Sequence, residues 1–393
     1  MHPAAAALIA TASLFTVLLG LALVRTLSLR LAPAPGVLKR DALEAFAGCE
    51  SSLSCLVRIP TVSGYEGKGE DDNEFRRFKE ELNRLYPLTF ERLLAVDAGD
   101  RAVFLEWPGR SRDAGPVLLA SHFDVVPPGE PEAWDSAPFS GVIAEGSVHG
   151  RGSLDAKVAL CGILNAVELL LSRGFVPERT IFLAFGGDEE TGGSRGATVL
   201  ASVLRERGIR LSFVLDEGGY VASDALAFCD RPVALVGISE KGYMDVAVEA
   251  MGQAGSSSEP PPRTAAGSVA RAVAALEAKR FRSRMTQTAA SFINEIARYA
   301  PFRYRFAFRN LWLCSPFVRA LLSRDPLTNA LIRTTSAATM LAASGKAHAL
   351  PERAWALLSV RVLPGTSMAK TLGTLDAITS RAGARAFVAP RGQ

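Results

Sequence analysis

Three short apolar segments, each followed at once by acidic residues or a histidine, constrain the fold of this chain more than any other feature. They occupy residues 117–120, 181–185 and 213–215. The clearest helix is predicted at 156–173, where the apolar residues form one broad face. Continuous apolar strands that alternate with helices are typical of a sheet covered on both sides. We therefore predict an α/β domain with a mostly parallel sheet flanked by helices.

The pattern changes near Gly237, where alternating strands and amphipathic helices predict a smaller α+β domain. Residues 281–322 are rich in aromatic side chains and look irregular, and we interpret them as an insertion that packs on this second domain. We therefore place the first domain, with the predicted metal site, at 41–236 and the second at 237–393. The predicted elements of the second domain are strands at 243–250 and 355–363 and helices at 265–279 and 367–381.

Residues 4–24 contain no charged side chain, and their number fits one membrane-spanning helix. The segment is also similar to a long signal peptide that ends near 32–34. We favour an uncleaved transmembrane anchor at 1–25, followed by a linker at 26–40. The chain is then membrane-anchored with a single N-terminal pass, or else secreted or periplasmic. Arg25 and Arg30 follow the apolar run but do not by themselves fix its orientation.

The composition argues against two other classes of site. A formal net charge of +4 is small for 393 residues, so nothing indicates binding to nucleic acid. The five cysteines include no CxxC pair, which argues against a thiolate zinc site and a complete disulfide framework. The spacing of Cys49 and Cys55 permits a small loop bridge, but we expect unpaired thiols.

Candidate metal ligands follow each of the three apolar segments. These residues are His122, Asp124, Glu189, Glu190 and Asp216, with Asp155 just before the long helix. Because ligands in open α/β sheets bind beyond the carboxyl ends of the strands, we expect these loops to converge on one crevice. A histidine with carboxylates suits zinc, and also manganese or cobalt, and a shared carboxylate allows a two-metal site.

Neighbouring residues suggest a division of roles around such a metal. Asp124 is placed to accept an N–H from a metal-bound His122. One of Glu189 and Glu190 can face a metal while the other holds a water and acts as a general base. Glu217 stands beside Asp216 and could compete with it as a ligand.

Together these segments resemble the successive signatures of the M20 family of metallopeptidases. The segments are HFDVVP at 122–127, GRGSLDAK at 150–157 and DEETGG at 188–193. ISEKGY at 238–243 and RVLPG at 361–365 resemble the entry to that family's lid domain and its last strand. Within the family, the chain is most similar to the membrane-anchored carboxypeptidase S-like branch of N-acyl amino acid hydrolases and aminoacylases.

This resemblance implies a zinc-dependent hydrolase with an inserted ferredoxin-like lid domain, through which the chain forms a homodimer. It implies hydrolysis of an amide or peptide bond next to a free carboxylate, in a small peptide or an N-acyl amino acid. The implied zinc ligands are His122 and Asp216 on one ion, Glu190 on the other, and Asp155 between them. Glu189 is the implied general base, Asp124 orients His122, and Arg361 receives the substrate carboxylate.

The chain departs from the family pattern in three places. No histidine follows residues 361–365, so we expect the second zinc to lack its last protein ligand, as in a chain shortened at its C-terminus. Ser256 stands where the family has an oxyanion-stabilising histidine, and His348 where it has an asparagine. Loss of one oxyanion donor costs on the order of 10²–10³ in rate. We therefore expect impaired hydrolysis, and the alternative is an inactive relative that binds ligands or dimerises.

Overall fold

The computed structural model describes residues 3–31, 48–64, 69–111, 113–219, 221–223, 226–229 and 231–389. The chain divides into two compact units, one at Pro35–Gly219 and the other combining Met1–Ala34 with Tyr220–Gln393. We call them the sheet unit and the helical unit. The division falls ahead of the expected boundary at 236–237. Most of the predicted linker at 26–40 lies outside the described residues, although its first two positions continue the N-terminal helix.

The described residues form helices and strands in the following order. The helices are α1 (Pro3–Leu27), α2 (Cys49–Val57), α3 (Asp72–Leu85), α4 (Pro87–Arg92), α5 (Lys157–Ser172), α6 (Ala197–Glu206), α7 (Ala265–Ala278), α8 (Gln287–Ile296), α9 (Phe302–Arg309), α10 (Leu311–Leu322), α11 (Pro326–Leu331) and α12 (Met368–Thr379). The strands are β1 (Leu94–Ala95), β2 (Ala102–Trp107), β3 (Val117–His122), β4 (Val142–Ala144), β5 (Ser147–His149), β6 (Ile181–Gly186), β7 (Phe213–Leu215), β8 (Val221–Ala222), β9 (Val233–Ala234), β10 (Gly242–Met251), β11 (Gly255–Ser256), β12 (Thr335–Ala342), β13 (Ala349–Leu350), β14 (Arg353–Val362) and β15 (Arg385–Val388).

The sheet unit is built on five strands in the order β1-β2-β6-β3-β7. Alternate residues of β2 point to opposite faces: Val103 and Leu105 join a core with α2, α3 and α5, whereas Phe104 joins a core with α6. Helices therefore cover both faces, as predicted. The sheet is more mixed than expected, because β3 is parallel to β6 and β7, whereas β2 is antiparallel to both β1 and β6. Continuous burial of a strand does not by itself reveal its direction.

The helical unit contains an antiparallel sheet in the order β12-β14-β10-β15. Along the chain, its elements follow the sequence β10, α7, β12, β14, α12, β15, which is the split βαβ arrangement of a ferredoxin-like domain. The pairing is regular, with Tyr243 opposite Arg361 and Val246 opposite Leu358. Inward residues of β10 and β14 pack against α7 and α12. The predicted combination of strands and amphipathic helices in this part of the chain is confirmed.

Residues 281–322 form three helices, α8, α9 and α10, so their description as irregular was wrong. Each helix is short, and prolines at 301 and 316 interrupt the periodic pattern that would have revealed them. Their buried residues, including Ile293 and Phe308, form a separate core that also contains Phe228. The Arg284 guanidinium joins this region to the ferredoxin-like part by donating to the backbone oxygen of Pro364 at 2.6 Å.

At the N-terminus, α1 is long and apolar enough over Ala7–Leu27 to cross a membrane. A signal sequence has the same length and composition, so this helix alone does not separate an anchor from a leader. The five cysteines are free, as expected, so Cys49 and Cys55 form no loop bridge.

Candidate metal centre

Three of the predicted ligands meet at one edge of the sheet. His122, Asp155 and Glu190 each offer one ligand atom, and these atoms all lie within 4.8 Å of one another. The imidazole Nε2 of His122 is 2.9 Å from Oδ1 of Asp155. One cation could contact all three side chains at this spacing, so the sequence-based expectation that separate loops converge holds for these residues.

Each ligand is delivered by the end of a regular element. His122 is the last residue of β3, which lies between β6 and β7. Glu190 sits in a short 3-10 helix at Glu189–Thr191, just after β6. Asp155 precedes α5, and the peptide bond from Asp155 to Ala156 is cis. Because β3 and β6 are parallel and in register from Val117 to His122, their carboxyl ends place these loops side by side.

The fully buried Asp124 carboxylate organises the loop that carries both glutamates. It accepts the backbone N–H of Glu189 at 3.0 Å, that of Glu190 at 3.1 Å and the hydroxyl of Ser63 at 2.7 Å. We predicted only that Asp124 would orient His122. Nδ1 of His122 does lie 3.4 Å from the carboxylate, but it is closer, at 3.0 Å, to the backbone oxygen of Asp124. Asp124 therefore positions both the histidine and the glutamate loop.

Asp188, which the sequence analysis did not single out, holds the other end of this loop. Its buried carboxylate accepts the backbone N–H of Arg195 at 2.7 Å and of Gly196 at 2.8 Å. The preceding Gly187 lies against Phe123, and a Cβ there would stand 2.6 Å from the phenyl ring. The glycine pair at 186–187 was the signal in the sequence that backbone and side chains approach closely here.

The electrostatics of the cluster favour a bound cation. Burial, together with nearby negative charges, raises the pKa of both Glu189 and Glu190. Burial alone would lower the pKa of His122, but Asp124 and the neighbouring carboxylates raise it to about 10. These shifts mean that the site concentrates negative charge and retains a proton on the imidazole, and a divalent cation can take the place of that proton.

The third strand end differs from the other two. Asp216 follows β7, is exposed, and is not among the residues that cluster with His122. Its carboxylate accepts the backbone N–H of Glu217 at 2.9 Å. Glu217 is partly buried, and burial raises its pKa, with His122 as the main opposing charge. The structure thus leaves Asp216 and Glu217 as two neighbouring candidates for the fourth ligand.

The buried Lys157 fixes the loop that carries Asp155 through two hydrogen bonds to the backbone. The Lys157 ammonium donates to the backbone oxygens of Leu56 at 3.0 Å and Ile59 at 2.7 Å. Burial lowers its pKa to about 7. These bonds tie the start of α5, and with it the Asp155 loop, to the end of α2.

The remaining residues that the sequence singled out, Arg361, Ser256 and His348, belong to the helical unit. Arg361 lies over the Tyr243 ring at 4.5 Å and lines a cavity of about 800 Å³ with Lys241 and mainly apolar side chains. The two segments that depart from the family pattern pair with each other, since Ser256 of β11 lies opposite Ala349 of β13. His348 accepts the backbone N–H of Ser257 through its backbone oxygen.

The donor set fits a divalent metal ion of the zinc type. It combines one imidazole nitrogen with carboxylate oxygens, which suits zinc and also cobalt or manganese. A nearby carboxylate, Glu189, lies 3.9 Å from Nε2 of His122. Glu189 can therefore accept and return a proton while the side chains of the cluster bind the ion.

Comparison with known proteins gives a consistent result. The family model described as peptidase family M20/M25/M40 matches residues 118–309. The N-fatty-acyl-amino acid synthase/hydrolase PM20D1 of Bos taurus is 34% identical over 92% of this chain and 73% of its own length. The human protein of that name is 33% identical over 82% of this chain and 64% of its own length. A probable carboxypeptidase S-like protein of Dictyostelium discoideum is 34% identical over 85% of this chain and 66% of its own length.

Solved structures share the fold at low sequence identity. An M20 family metallo-carboxypeptidase from Sulfolobus solfataricus superposes with a TM-score of 0.59 at 20% identity, covering 86% of this chain and 77% of its own. Human carnosine dipeptidase 1 gives a TM-score of 0.56 at 15% identity over 91% of this chain and 80% of its own.

Proposed function

The chain belongs to peptidase family M20/M25/M40, and from that premise we propose that it is a zinc-dependent hydrolase of N-acyl amino acids or small peptides. The observation that carries the proposal is the His122, Asp155 and Glu190 cluster, with Glu189 beside it. The proposed bond is an amide next to a free carboxylate. The comparisons give no support to the alternative of an inactive binding protein, since the similar proteins are named as hydrolases and carboxypeptidases.

His122, Asp155 and Glu190 would hold the metal, with Asp155 shared between two ions and Asp216 or Glu217 as a further ligand of the ion at His122. Bound zinc supplies Lewis-acid polarisation of the scissile carbonyl and lowers the pKa of an attacking water. Glu189 is the proposed general base. Its pKa is raised by burial and by neighbouring charges, which brings it closer to the working range of a group that accepts and returns a proton.

The substrate end of the proposal rests on Arg361. Its guanidinium is stacked on Tyr243, and among the described residues no carboxylate forms an ion pair with it. The lining of its cavity is mainly apolar, with Phe292, Leu331 and Leu363, and its charged members besides Arg361 are Lys241, Glu240 and Glu295. A cation at an apolar cavity suits a ligand with a carboxylate and a long acyl chain, because each part finds a matching surface. This favours an N-acyl amino acid over a polar dipeptide.

Two further features belong to the proposal. We propose that α1 anchors the chain in a membrane, on the basis of its length and composition. We also propose a homodimer formed through the ferredoxin-like sheet. Its edge strand β12 exposes Met340 and Leu341, which gives a second copy an apolar strand to pair with.

The test is amine release from a long-chain N-acyl amino acid and, separately, from a dipeptide, using chelator-treated protein before and after zinc addition. We expect zinc-dependent activity that is greater on the acyl amino acid. Glu189→Gln should keep the zinc and lose activity on the order of 10²–10⁴-fold, whereas the exposed Glu178→Gln should change neither. Activity that is unaffected by chelation, or an active Glu189→Gln variant with its zinc in place, would contradict the proposal.

A further inference from the structure

Helix α10 has an exposed face without a single polar residue. Trp312, Leu313, Pro316, Phe317 and Ala320 are exposed, and at 100° per residue they fall within an arc of roughly 140°. Phe317 is 58% exposed, and Trp312 and Leu313 nearly half exposed. On the opposite side, Val318 and Leu322 are buried in the core of the helical insertion. We call the five exposed residues the apolar face of α10. A water-facing surface would normally carry polar side chains here.

This face begins where the candidate membrane helix is fixed to the rest of the unit. Asn310, the residue before α10, is fully buried, and its side-chain amide donates to the Ala22 backbone oxygen at 3.1 Å and to the Thr26 hydroxyl at 3.0 Å. Ala22 and Thr26 are themselves fully buried. At 1.5 Å per residue, Ala22 lies about 7 Å before the last residue of α1. Helix α10 therefore starts level with the final turns of that apolar helix.

The charge of the surrounding segment is strongly one-sided. Between residues 296 and 324 there are six arginines and no aspartate or glutamate. Within the described part of the chain, only Arg298 of these six has an acidic partner, Glu295 at 2.6 Å. Others bond to neutral oxygens, as Arg319 does to the backbone of Ser283 and Arg305 to that of Ala300. Positive charge without acidic partners beside an apolar helix face matches an anionic lipid surface.

We propose that the apolar face of α10 inserts into the interfacial layer of an anionic bilayer, next to the point where α1 enters it. The inference rests on the proposed membrane anchor and goes beyond it, because it assigns a second, peripheral membrane contact to the helical insertion. Trp312 lies at the start of the face, and tryptophan is enriched at the depth of the lipid headgroups. Arg303 and Arg324, the two exposed arginines of 296–324, contact phosphate and carboxylate groups of the lipids around it.

A docking protein is the other conceivable occupant of the face. The bilayer is favoured because Asn310 joins the start of this face to the buried end of α1. That continuity places the face beside a membrane whenever α1 is in one. A protein partner would leave the face unchanged by contact with lipid, and this difference decides the experiment.

The experiment uses the full chain reconstituted in phosphatidylcholine vesicles with and without phosphatidylserine, in which some acyl chains carry bromine to quench tryptophan emission. Vesicle flotation reports separately whether α1 anchors the chain. We expect bromolipid to quench wild-type emission in the anionic vesicles, Trp312→Phe to abolish most of that quenching, and the matched control Trp134→Phe to retain it. We expect the quenching of Trp312 to fall in vesicles without phosphatidylserine, and in anionic vesicles with Leu313→Ser and Phe317→Ser.

The outcomes separate the two ideas. A chain that floats with the vesicles but loses no quenching in Trp312→Phe overturns the interfacial contact and leaves the anchor standing. A chain that does not float overturns both. Equal quenching with and without phosphatidylserine overturns the role given to the arginines. Hydrolysis of a soluble substrate separates the membrane contact from catalysis, because we expect Trp312→Phe to leave this activity unchanged.

Discussion

Within the sheet unit, the ends of β3 and β6 differ from the end of β7. The first two strands are buried, and their loops are held by many hydrogen bonds, including three to the Asp124 carboxylate. Strand β7 is exposed along its whole length, and within the described residues the Asp216 carboxylate accepts only the backbone N–H of Glu217. His122 and Glu190 meet Asp155, whereas Asp216 stays outside their cluster. Convergence of strand ends therefore brings residues near one another, but buried hydrogen bonds determine which of them form a site.

The largest expected effect comes from removing the hydrogen bonds that hold the loops after β3 and β6. Asp124→Ala removes the acceptor of two backbone N–H groups and one hydroxyl, so the glutamate loop loses its position. We expect zinc affinity and hydrolysis to fall on the order of 10–100-fold each, as for other groups that orient metal ligands. Zinc titration and amine release measure this, with the exposed Asp113→Asn as the control. Unchanged zinc affinity would show that the loop holds itself without Asp124.

Gly187→Ala tests the same end through packing. The new Cβ would lie 2.6 Å from the Phe123 ring, so the ring or the loop must move. We expect the free energy of unfolding to fall by about 1–3 kcal/mol, as for overpacking of a well-packed core. The matched control is Gly162→Ala in α5, where nothing lies within 4 Å of the new Cβ. That variant should be about 0.5–1 kcal/mol more stable than the parent. Similar stability of the two variants in denaturant would contradict the tight packing described at Gly187.

Variants of the two acidic residues after β7 test which of them binds zinc. We expect Asp216→Asn to weaken one zinc site on the order of 10-fold, the lower end for loss of a metal-orienting or binding group, and Glu217→Gln to leave it intact. The physical basis is the place of Asp216 directly after β7, next to β3. Zinc content per chain after dialysis distinguishes the variants. A loss in Glu217→Gln alone would assign the ligand to Glu217.

The smallest effect concerns Lys241 in the helical unit, far along the chain from these strand ends. Burial, and to a lesser extent Arg361, lowers its pKa to about 8. Between about pH 8 and the ordinary lysine pKa near 10.4, the unfolded chain binds more protons than the folded one, so this residue makes stability rise with pH. Relative to Lys241→Met, wild type should gain stability from pH 8 to pH 10 in denaturant unfolding. A constant difference between the two would show that the pKa is not lowered.

The sequence predicts which side chains cluster at the strand ends, but it does not predict the hydrogen bonds that hold their loops. The clustering of His122, Asp155 and Glu190 was predictable, because apolar segments mark strands and parallel strands present their carboxyl ends together. The bonds from Asp124 to the N–H groups of Glu189 and Glu190 were not, because they depend on the backbone path of a loop. The bonds from the Asp188 carboxylate to the N–H groups of Arg195 and Gly196 were not predicted, for the same reason.

The fold shows the same division. The ferredoxin-like elements have clear periodicity, so β10 and β14 were predicted to within two residues at each end. The antiparallel direction of β2 was not, since a strand buried on both faces reads alike in either direction. The short helices α8, α9 and α10 were missed because each spans few turns and prolines lie within or beside them.

The central claim is that His122, Asp155 and Glu190 bind zinc at the ends of β3 and β6. Its most direct test is a crystal structure of the zinc-soaked protein with anomalous scattering measured at the zinc edge. The account predicts a peak about 2.0–2.2 Å from Nε2 of His122 and from carboxylate oxygens of Asp155 and Glu190. A zinc-loaded crystal with no peak at these three residues, or with its zinc held elsewhere, would contradict it.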